Sequence, residues 1–377
     1  MPLRAASTTA AAAAAAAALL LLLPAAAAAH PPFDGTVRDQ GDGSSAAYLP
    51  PPFVANHAST IEQLPDGTLL LAWFSGTKEE APGCAIAVAR LPAGSSQWSA
   101  PRVVSQRANY SNQNPVLFYD APSRAVLLFH SQLLANTGEG LDVLWLLRSD
   151  DLGVSWGAPA PFLDLTASKQ GVFDRNRIVP LADGGLLFPC YFTTDGRPNS
   201  PFLLFAPASN HSAWGPPLAI ANADDLVQPS VVRTAPGTLT AFFRDRRAVS
   251  VYGASSTDEG RSWTTPTPAQ AGGLPNNNAG IEAFQLASGN TILVFNNESG
   301  GGVRSPLTAA LSRDGGRSWF ASRNLQVHDE NATTEVEFSY PTVLQTTRDG
   351  AIHVGFTYDR ECIKYMRFDE AWVAAGA

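Results

Sequence analysis

The sequence predicts an all-β protein built as a single six-bladed β-propeller. Two repeated patterns predict it: a box that ends in tryptophan, and a turn followed by a run rich in β-branched, leucine and aromatic residues. The two patterns recur in step along the chain. The composition agrees, because 31 glycines and 29 prolines among 377 residues require frequent turns and exclude a long-helix or coiled-coil protein.

The box follows the template S-x-D-x-G-x-[ST]-W. Its three full copies span residues 149–156, 256–263 and 312–319. Aspartate can cap a tight turn with its side-chain oxygens, glycine can adopt a positive φ, and tryptophan can pack between sheets. We therefore interpret the box residues Asp151, Asp258 and Asp314 as structural rather than catalytic.

Eroded copies of the box end at Trp98, Trp214 and Trp372, so the six tryptophans lie 49 to 58 residues apart. The second pattern, a turn such as Leu-Pro-Asp-Gly, occurs at 64–67, 121–123, 181–184, 235–237, 286–289 and 348–350. Each unit is thus predicted to contain a strand, a turn, two strands, a boxed turn and a fourth strand. Units of this size cannot bury both faces alone, and six of them closed radially form a propeller. We expect the segment 48–53 to add a strand to the last blade and close the ring.

Charge and motifs restrict the partners. The chain carries 33 acidic and 25 basic residues, a net charge of −8, and has no run of basic residues. This makes nucleic acid an unexpected partner. No metal-binding, nucleotide-binding or phosphate-binding motif is present, so we expect no cofactor and no metal.

The first 29 residues predict a secretory signal peptide, because Arg4 precedes a long alanine and leucine stretch and small residues at Ala27 and Ala29 suit cleavage. An uncleaved membrane anchor is the alternative. The expected organisation is a signal peptide (1–29), a linker (30–47), the propeller (48–373) and a tail (374–377). We expect a secreted monomer, in an extracellular or other secretory-pathway compartment, with no membrane attachment after cleavage.

Glycosylation sequons begin at Asn109, Asn210, Asn297 and Asn331, and could carry glycans on surface loops. The three cysteines, Cys84, Cys190 and Cys362, allow at most one disulfide. Their spacing fits neither a disulfide framework nor a zinc site.

The central pocket of a propeller lies where first strands begin and second strands end. Counting from the turn glycines places a polar set there: His57, Lys78, Glu79, Arg175, Arg177, Gln228, Arg244, Glu282, Arg304 and Tyr340. A purely structural channel would instead be small and apolar. A cation-rich pocket predicts an anionic, hydroxylated ligand such as an acidic sugar in a glycan.

These residues resemble the exo-sialidase superfamily, in its sialidase-like branch of Asp-box (BNR-repeat) propellers, over about 48–372. The resemblance rests on Arg244 in Phe-Phe-Arg at the end of the second strand of blade 4, on Arg304 ahead of the third strand of blade 5, and on Tyr340 in Phe-Ser-Tyr-Pro at the start of blade 6.

The resemblance implies a mechanism. Arg244 and Arg304 bind the substrate carboxylate, and Tyr340 attacks the anomeric carbon with net retention; Arg175 and Arg177 are further substrate-binding candidates from their predicted position in the pocket alone. A neighbouring carboxylate takes the phenolic proton, and another acid protonates the leaving oxygen.

Several family positions differ in this chain. The first family arginine falls on His57, with Lys78 as a possible substitute, and the glutamate that activates the tyrosine falls on Gln228. An amide cannot accept a proton, and losing a general base costs about 10² to 10⁴ in rate. Glu282 could supply the missing base. The family's acid has no clear match, and Glu79 or Glu80 lies nearest.

We therefore predict a secreted exo-glycosidase that hydrolyses a terminal acidic sugar with retention. One alternative is a carbohydrate-binding propeller whose catalytic residues have decayed. Another is a uronate lyase, in which Arg244 and Arg304 neutralise the carboxylate and His57 or Tyr340 removes the proton. Elimination leaves an unsaturated uronate that absorbs in the near ultraviolet, whereas hydrolysis does not.

Overall fold

The computed structural model describes residue 1 and residues 32–138, 140–193, 197–270, 273–328 and 336–376. Over these residues the chain is almost entirely β, with 27 strands, a short 3₁₀ turn at Thr166–Ser168 and one five-residue helix at Glu370–Ala374. The strands form six antiparallel sheets, which are the six predicted blades. The predicted signal segment lies outside the described residues, except for Met1.

Each of the first three blades is ordered outward from its first strand. Blade 1 contains Ala55–Gln63, Leu69–Gly76, Ala85–Leu91 and Arg102–Ser105. Blade 2 contains Tyr110–Asp120, Ala125–Leu134, Val143–Ser149 and Ala160–Leu163. Blade 3 contains a first strand in two pieces, Gly171–Asp174 and Val179–Pro180, followed by Leu186–Thr193, Ser200–Ala206 and Leu218–Ala219.

The remaining blades follow the same order. Blade 4 contains Leu226–Ala235, Thr238–Asp245, Ser250–Ser256 and Thr267–Pro268, with Leu274–Pro275 as an extra edge piece. Blade 5 contains Glu282–Gln285, Thr291–Asn296, Leu307–Ser312 and Ala321–Gln326. Blade 6 contains Phe338–Gln345, Ile352–Tyr358 and Cys362–Phe368, completed by Ser45–Tyr48 and Arg38–Asp39.

The second strand of a blade is buried on both faces because neighbouring blades pack against each side. Leu69–Gly76 is buried at every position, which explains its continuous apolar run in place of an alternating one. Its side chains join apolar clusters shared with blades 2 and 6. The outermost strands, such as Arg102–Ser105, are mostly exposed. The core is therefore a ring of apolar layers between blades, around a polar axis.

The ring closes through the N-terminal segment, as predicted, but at a different position. Ser45–Tyr48 pairs with Cys362–Phe368, and Arg38–Asp39 pairs with Ser45–Tyr48. The closing strand thus lies before 48–53, and part of the expected linker 30–47 belongs to the blade 6 sheet. Ala46 and Ala47 are small enough to be fully covered there, which the sequence pattern did not indicate.

The three full boxes have nearly identical geometry. In the last one, the Asp314 carboxylate accepts hydrogen bonds from the Ser312 hydroxyl at 2.8 Å and from the Ser318 backbone at 2.8 Å. Gly316 has φ +90°, and a Cβ there would overlap the ring of Phe242 in blade 4. The box therefore closes its own hairpin and fits against the preceding blade.

The last eroded copy is not a box. Asp369 caps the helix Glu370–Ala374 and accepts from the Trp372 backbone at 2.7 Å. The segment lacks the serine and glycine that close the hairpin, so the aspartate caps a helix instead.

Cys84, Cys190 and Cys362 are buried free thiols. Asn109, Asn210 and Asn297 are exposed, whereas Asn331 lies outside the described residues. Their glycosylation stays a prediction. No helix in the described ranges has the length and apolar character needed to cross a membrane.

Candidate active site

At the end of the channel where the first strands begin, several residues have a left-handed backbone conformation. Five non-glycine residues on, or just before, first strands have φ between 46° and 59°: Ala58, Asn114, Gln228, Asn278 and Tyr340. In blades 1, 2, 4 and 6 the strand register shifts at this point, which is a β-bulge. A bulge re-aims a side chain, and this backbone region costs a non-glycine residue about 1 to 2 kcal/mol. Strain of this kind concentrates at functional sites.

The hydroxyl of Tyr340 lies between two nitrogen donors of blade 4. Arg244 donates from Nη1 to the phenolic oxygen, and Gln228 Nε2 lies 3.5 Å from the same oxygen. Tyr340 and Arg244 are each 7% exposed and Gln228 is 2% exposed. No carboxylate among the described residues is hydrogen-bonded to this hydroxyl, so the general base expected beside the tyrosine is missing.

The ring of Tyr340 is surrounded by cations and one imidazole. The guanidinium carbons of Arg175, Arg244 and Arg304 lie 5.2, 5.5 and 5.3 Å from the ring centroid. The His57 ring centroid is 4.2 Å away. Residues from blades 1, 3, 4, 5 and 6 therefore converge on one side chain, including the predicted Tyr340, Arg244 and Arg304.

Arg244 has only neutral hydrogen-bond partners in the described part of the chain. Its Nε donates to Asn278 Oδ1 at 2.8 Å, and its Nη1 donates to Gln228 Oε1 at 3.2 Å and to Tyr340. A buried guanidinium normally has a carboxylate partner, because an uncompensated buried charge is unfavourable. The arrangement therefore favours an anionic ligand at this position.

The cations nearer the mouth are already paired. Glu337 accepts from Arg304 at 2.6 Å and from Arg360 at 2.7 Å, and Arg360 also donates to Glu79 at 2.6 Å. Burial alone would raise the pKa of the Glu337 carboxyl, but the positive charges of Arg304 and Arg360 hold it well below its usual range. The result is a row of alternating charges across blades 1, 5 and 6.

His57 is a neutral imidazole. It is 1% exposed, its Nδ1 lies 2.9 Å from the Thr357 hydroxyl and 3.6 Å from Glu337, and its Nε2 has no partner among the described residues. Burial, reinforced by the charge of Arg360, keeps the pKa of His57 well below its ordinary value although Glu337 opposes this. His57 therefore does not replace the positive charge of the family arginine.

Two predicted substrate-binding residues instead brace the channel. Arg175 donates to the carbonyls of Ser59 at 3.1 Å and Pro341 at 2.8 Å. Two residues further on, Arg177 donates to the Val343 carbonyl at 2.9 Å and lies 3.4 Å from that of Ile61. Both guanidinium groups thus connect blade 3 to blades 1 and 6, and both residues lie in the break between the two pieces of the first strand of blade 3.

Glu282 lies at the level of Arg177, deeper in the channel than Arg175. It accepts from Arg177 Nε at 3.0 Å and from the Val343 backbone at 2.9 Å. Since strand residues rise about 3.3 Å each, Val343 lies deeper in the channel than Tyr340. Both Glu282 oxygens accept hydrogen bonds from these deeper groups, and neither is hydrogen-bonded to the Tyr340 hydroxyl. The expectation that Glu282 is the missing base is therefore wrong.

Lys78 and Glu79 lie in the loop after the second strand of blade 1. Lys78 is exposed. Glu79 connects this loop to the charged residues at the mouth through its ion pair with Arg360. Glu79 thus lies at the mouth, where an acid is expected. No group of three or more His, Cys, Asp or Glu able to hold a metal ion occurs among the described residues.

Sequence reasoning missed three residues of this site. Glu337 and Arg360 pair with each other within blade 6, and their further partners, Arg304 and Glu79, come from blades 5 and 1 and cannot be located from the repeat pattern. Gly280 was missed because it has no side chain, yet a Cβ there would lie 3.2 Å from Tyr340 Cγ and 3.3 Å from Gln228 Oε1. The charge of Glu337, three residues before Tyr340, was the available signal.

A comparison with known families decides the classification. The profile of the BNR repeat-like domain matches residues 67–354, about three quarters of the chain. The chain belongs to this family. A curated relative, a protein named sialidase from Bacteroides fragilis (strain YCH46), is 22% identical over 324 residues. That match covers 78% of this chain and 58% of the relative, so the propeller spans little more than half of its length.

Solved sialidase structures share the fold of this BNR propeller. Hadza microbial sialidase Hz136 superposes with a TM-score of 0.70 at 17% identity, covering 85% of this chain and 67% of its own. A leech intramolecular trans-sialidase, complexed with 2,7-anhydro-Neu5Ac, superposes with a TM-score of 0.71 at 14% identity, covering 86% of this chain and 69% of its own. The sialidase-like propeller predicted from the sequence is confirmed.

Proposed function

We propose that this BNR propeller is an exo-glycosidase that hydrolyses a terminal acidic sugar from a glycan. The observation that carries the proposal is Arg244: a buried guanidinium whose partners are all neutral, hydrogen-bonded to the hydroxyl of Tyr340. It offers a binding position for a carboxylate beside a nucleophilic side chain. The names of the relatives support a sugar substrate with a carboxylate, since sialic acids carry one.

In the proposed mechanism Tyr340 attacks the anomeric carbon as the glycosidic bond breaks, its phenolic proton passes to water in the pocket, and a covalent glycosyl intermediate forms. Water then releases the sugar, so the configuration is retained after two inversions. A phenol suits an acidic sugar because a neutral nucleophile is not repelled by the carboxylate next to the reacting carbon. Glu79, which pairs with Arg360 at the mouth, is the proposed acid: it takes a proton from solvent, releases Arg360 and gives that proton to the leaving oxygen.

Gln228 favours a second candidate, a binding propeller without turnover. Its amide occupies the position of the family's base at 3.5 Å from the Tyr340 hydroxyl, and it cannot accept the proton. A missing base lowers the rate by about 10² to 10⁴, so activity would be slow rather than necessarily absent.

The test is incubation with 4-methylumbelliferyl glycosides of N-acetylneuraminic, glucuronic and galacturonic acids, with the glucoside as the neutral control. Released sugar with retained configuration, read by proton NMR, supports the proposal. Elimination is tested separately on an unlabelled oligosaccharide that contains a 4-O-linked uronate, where an unsaturated uronate detected by its ultraviolet absorbance would indicate a lyase instead. Binding of an acidic glycoside with no product would support the second candidate.

We further propose that the protein is secreted, glycosylated and monomeric. The alanine-rich and leucine-rich segment 1–29 supports secretion, and the exposed Asn109, Asn210 and Asn297 support glycosylation. N-terminal sequencing of secreted protein should begin at His30. Enzymatic deglycosylation should lower the mass, and size-exclusion chromatography with light scattering should give one chain per particle.

A further inference from the structure

A second cavity, of about 380 Å³, opens at the other end of the axial channel. Its lining comes from blades 1 to 5, close to where the first strands end, whereas Tyr340 lies near the start of a first strand. Its walls are mostly apolar, with the rings of Phe118, Tyr119 and Phe284 and several valines. A concave, mostly apolar site of this volume is large enough for a small organic ligand.

The charged groups of this cavity do not balance. Two guanidinium groups line it, and each has a carboxylate partner: Arg177 with Glu282 at 3.0 Å, and Arg233 with Glu259 at 2.7 Å. The remaining charged group of the lining is Glu62. Its carboxylate lies 4.0 Å from Arg177 Nη1, beyond hydrogen-bond distance. The cavity therefore carries one negative charge more than its arginines compensate.

The titration of Glu62 agrees with this geometry. Its side chain is 18% exposed. Burial raises the pKa of the Glu62 carboxyl to about 7, an effect that Arg177 opposes and Glu282 reinforces. A cation bound beside the carboxyl would favour its ionised form.

The walls restrict which cation this is. A metal ion needs several oxygen, nitrogen or sulfur ligands, and no group of three or more His, Cys, Asp or Glu able to hold one occurs in the described ranges. Phe284 already has the Arg177 guanidinium carbon 5.1 Å from its ring centroid, so Phe118 and Tyr119 are the rings left for a ligand. Aromatic faces attract organic cations, and a quaternary ammonium ion needs no hydrogen-bond acceptors.

We propose that this cavity binds a small quaternary ammonium ion, whose charge is compensated by Glu62 and whose methyl groups contact the rings of Phe118 and Tyr119. The site is separate from the reaction proposed at Tyr340, because it requires neither a sugar nor turnover.

The test compares two probes of the same shape: choline, and its neutral isostere 3,3-dimethyl-1-butanol. Their binding is measured by ligand-observed NMR titration at pH 8, where the Glu62 carboxyl is ionised. The variants are Glu62→Gln, which removes the charge, and Phe118→Leu, which removes a ring. Asp224→Asn and Phe320→Leu are the matched controls outside the cavity, and both positions are exposed. Thermal unfolding followed by circular dichroism verifies that each variant is folded.

We expect the parent to bind choline about fivefold or more tightly than the isostere, and Glu62→Gln to lose this preference. Phe118→Leu should weaken choline binding by roughly threefold or more, and both controls should match the parent. Equal binding of the two probes by the parent, or no binding of choline, would overturn the inference. Unchanged choline affinity in folded Glu62→Gln or in folded Phe118→Leu would also overturn it.

Discussion

Two acidic residues near the axis show that the surroundings of a carboxyl group decide its charge. Glu337 contacts two guanidinium groups and is ionised. Asp174 is fully buried, accepts from the Ser131 hydroxyl at 2.7 Å, and has a second oxygen without a partner among the described residues. Burial raises the pKa of Asp174 to about 7.

Asp174→Asn should therefore change how stability depends on pH. The folded parent holds a proton that the unfolded chain releases near pH 3.8, so its stability falls as the pH rises from about 4 to about 7. The amide variant lacks this loss. We expect the free energy of unfolding of the variant, relative to the parent, to increase between pH 4.5 and pH 8 in urea titrations. A difference independent of pH would contradict this.

The residue scale also shows how far sequence reasoning extends. Tyr340, Arg244 and His57 could be placed because a repeat unit fixes where each lies relative to its own turn. The roles of Arg177 and Glu282 could not, because their partners come from blades 1 and 6 and depend on how the ring closes. Only the folded geometry separates a guanidinium that braces the channel from one, such as Arg244, whose partners among the described residues are all neutral.

At the scale of the element, the boxes were predictable because their contacts are local. Asp314 bonds residues two and four positions away, so the motif contains all of its partners. Asp369 shows the limit of this, since an aspartate and tryptophan without the intervening serine and glycine form a capped helix. The axial bulges were not predictable, because a positive φ at Gln228 or Tyr340 has no local sequence signal.

Asp314→Ala should lower the free energy of unfolding by about 1 to 2 kcal/mol, through loss of its turn hydrogen bonds, without changing turnover. Urea denaturation and a glycosidase assay measure the two effects. Asp224→Ala, at an exposed position with no hydrogen bond to its side chain among the described residues, is the matched control and should change stability by less than about 0.5 kcal/mol. A folded Asp314→Ala protein without activity would contradict the structural assignment.

At the scale of the whole molecule, the propeller depends on a closing strand that lies at 45–48, before the predicted position 48–53. Ala47 pairs with Tyr365 in blade 6, almost 320 residues later in the chain, and is completely buried. The six repeats could be counted from the sequence, whereas the residues that pair to close the ring could not be predicted from it. Closure joins the ends of the chain, so the six blades should unfold together.

Ala47→Asp should test this cooperativity. An unpaired buried charge in the closing strand is expected to lower the free energy of unfolding by about 3 kcal/mol or more. The whole unfolding transition should move to lower temperature as one step in calorimetry. Ala121→Asp, in an exposed turn, should leave it nearly unchanged. A main transition at the parent temperature would mean that the strand is peripheral.

The most direct test of the proposed chemistry is turnover and binding by Tyr340→Phe on whichever acidic glycoside the parent cleaves, with Tyr252→Phe as the control. Only the transition state uses the phenolic oxygen as a nucleophile. We therefore expect turnover to fall about 10²-fold or more while affinity for the glycoside stays close to that of the parent. Cleavage by the phenylalanine variant at the parent rate would contradict the account.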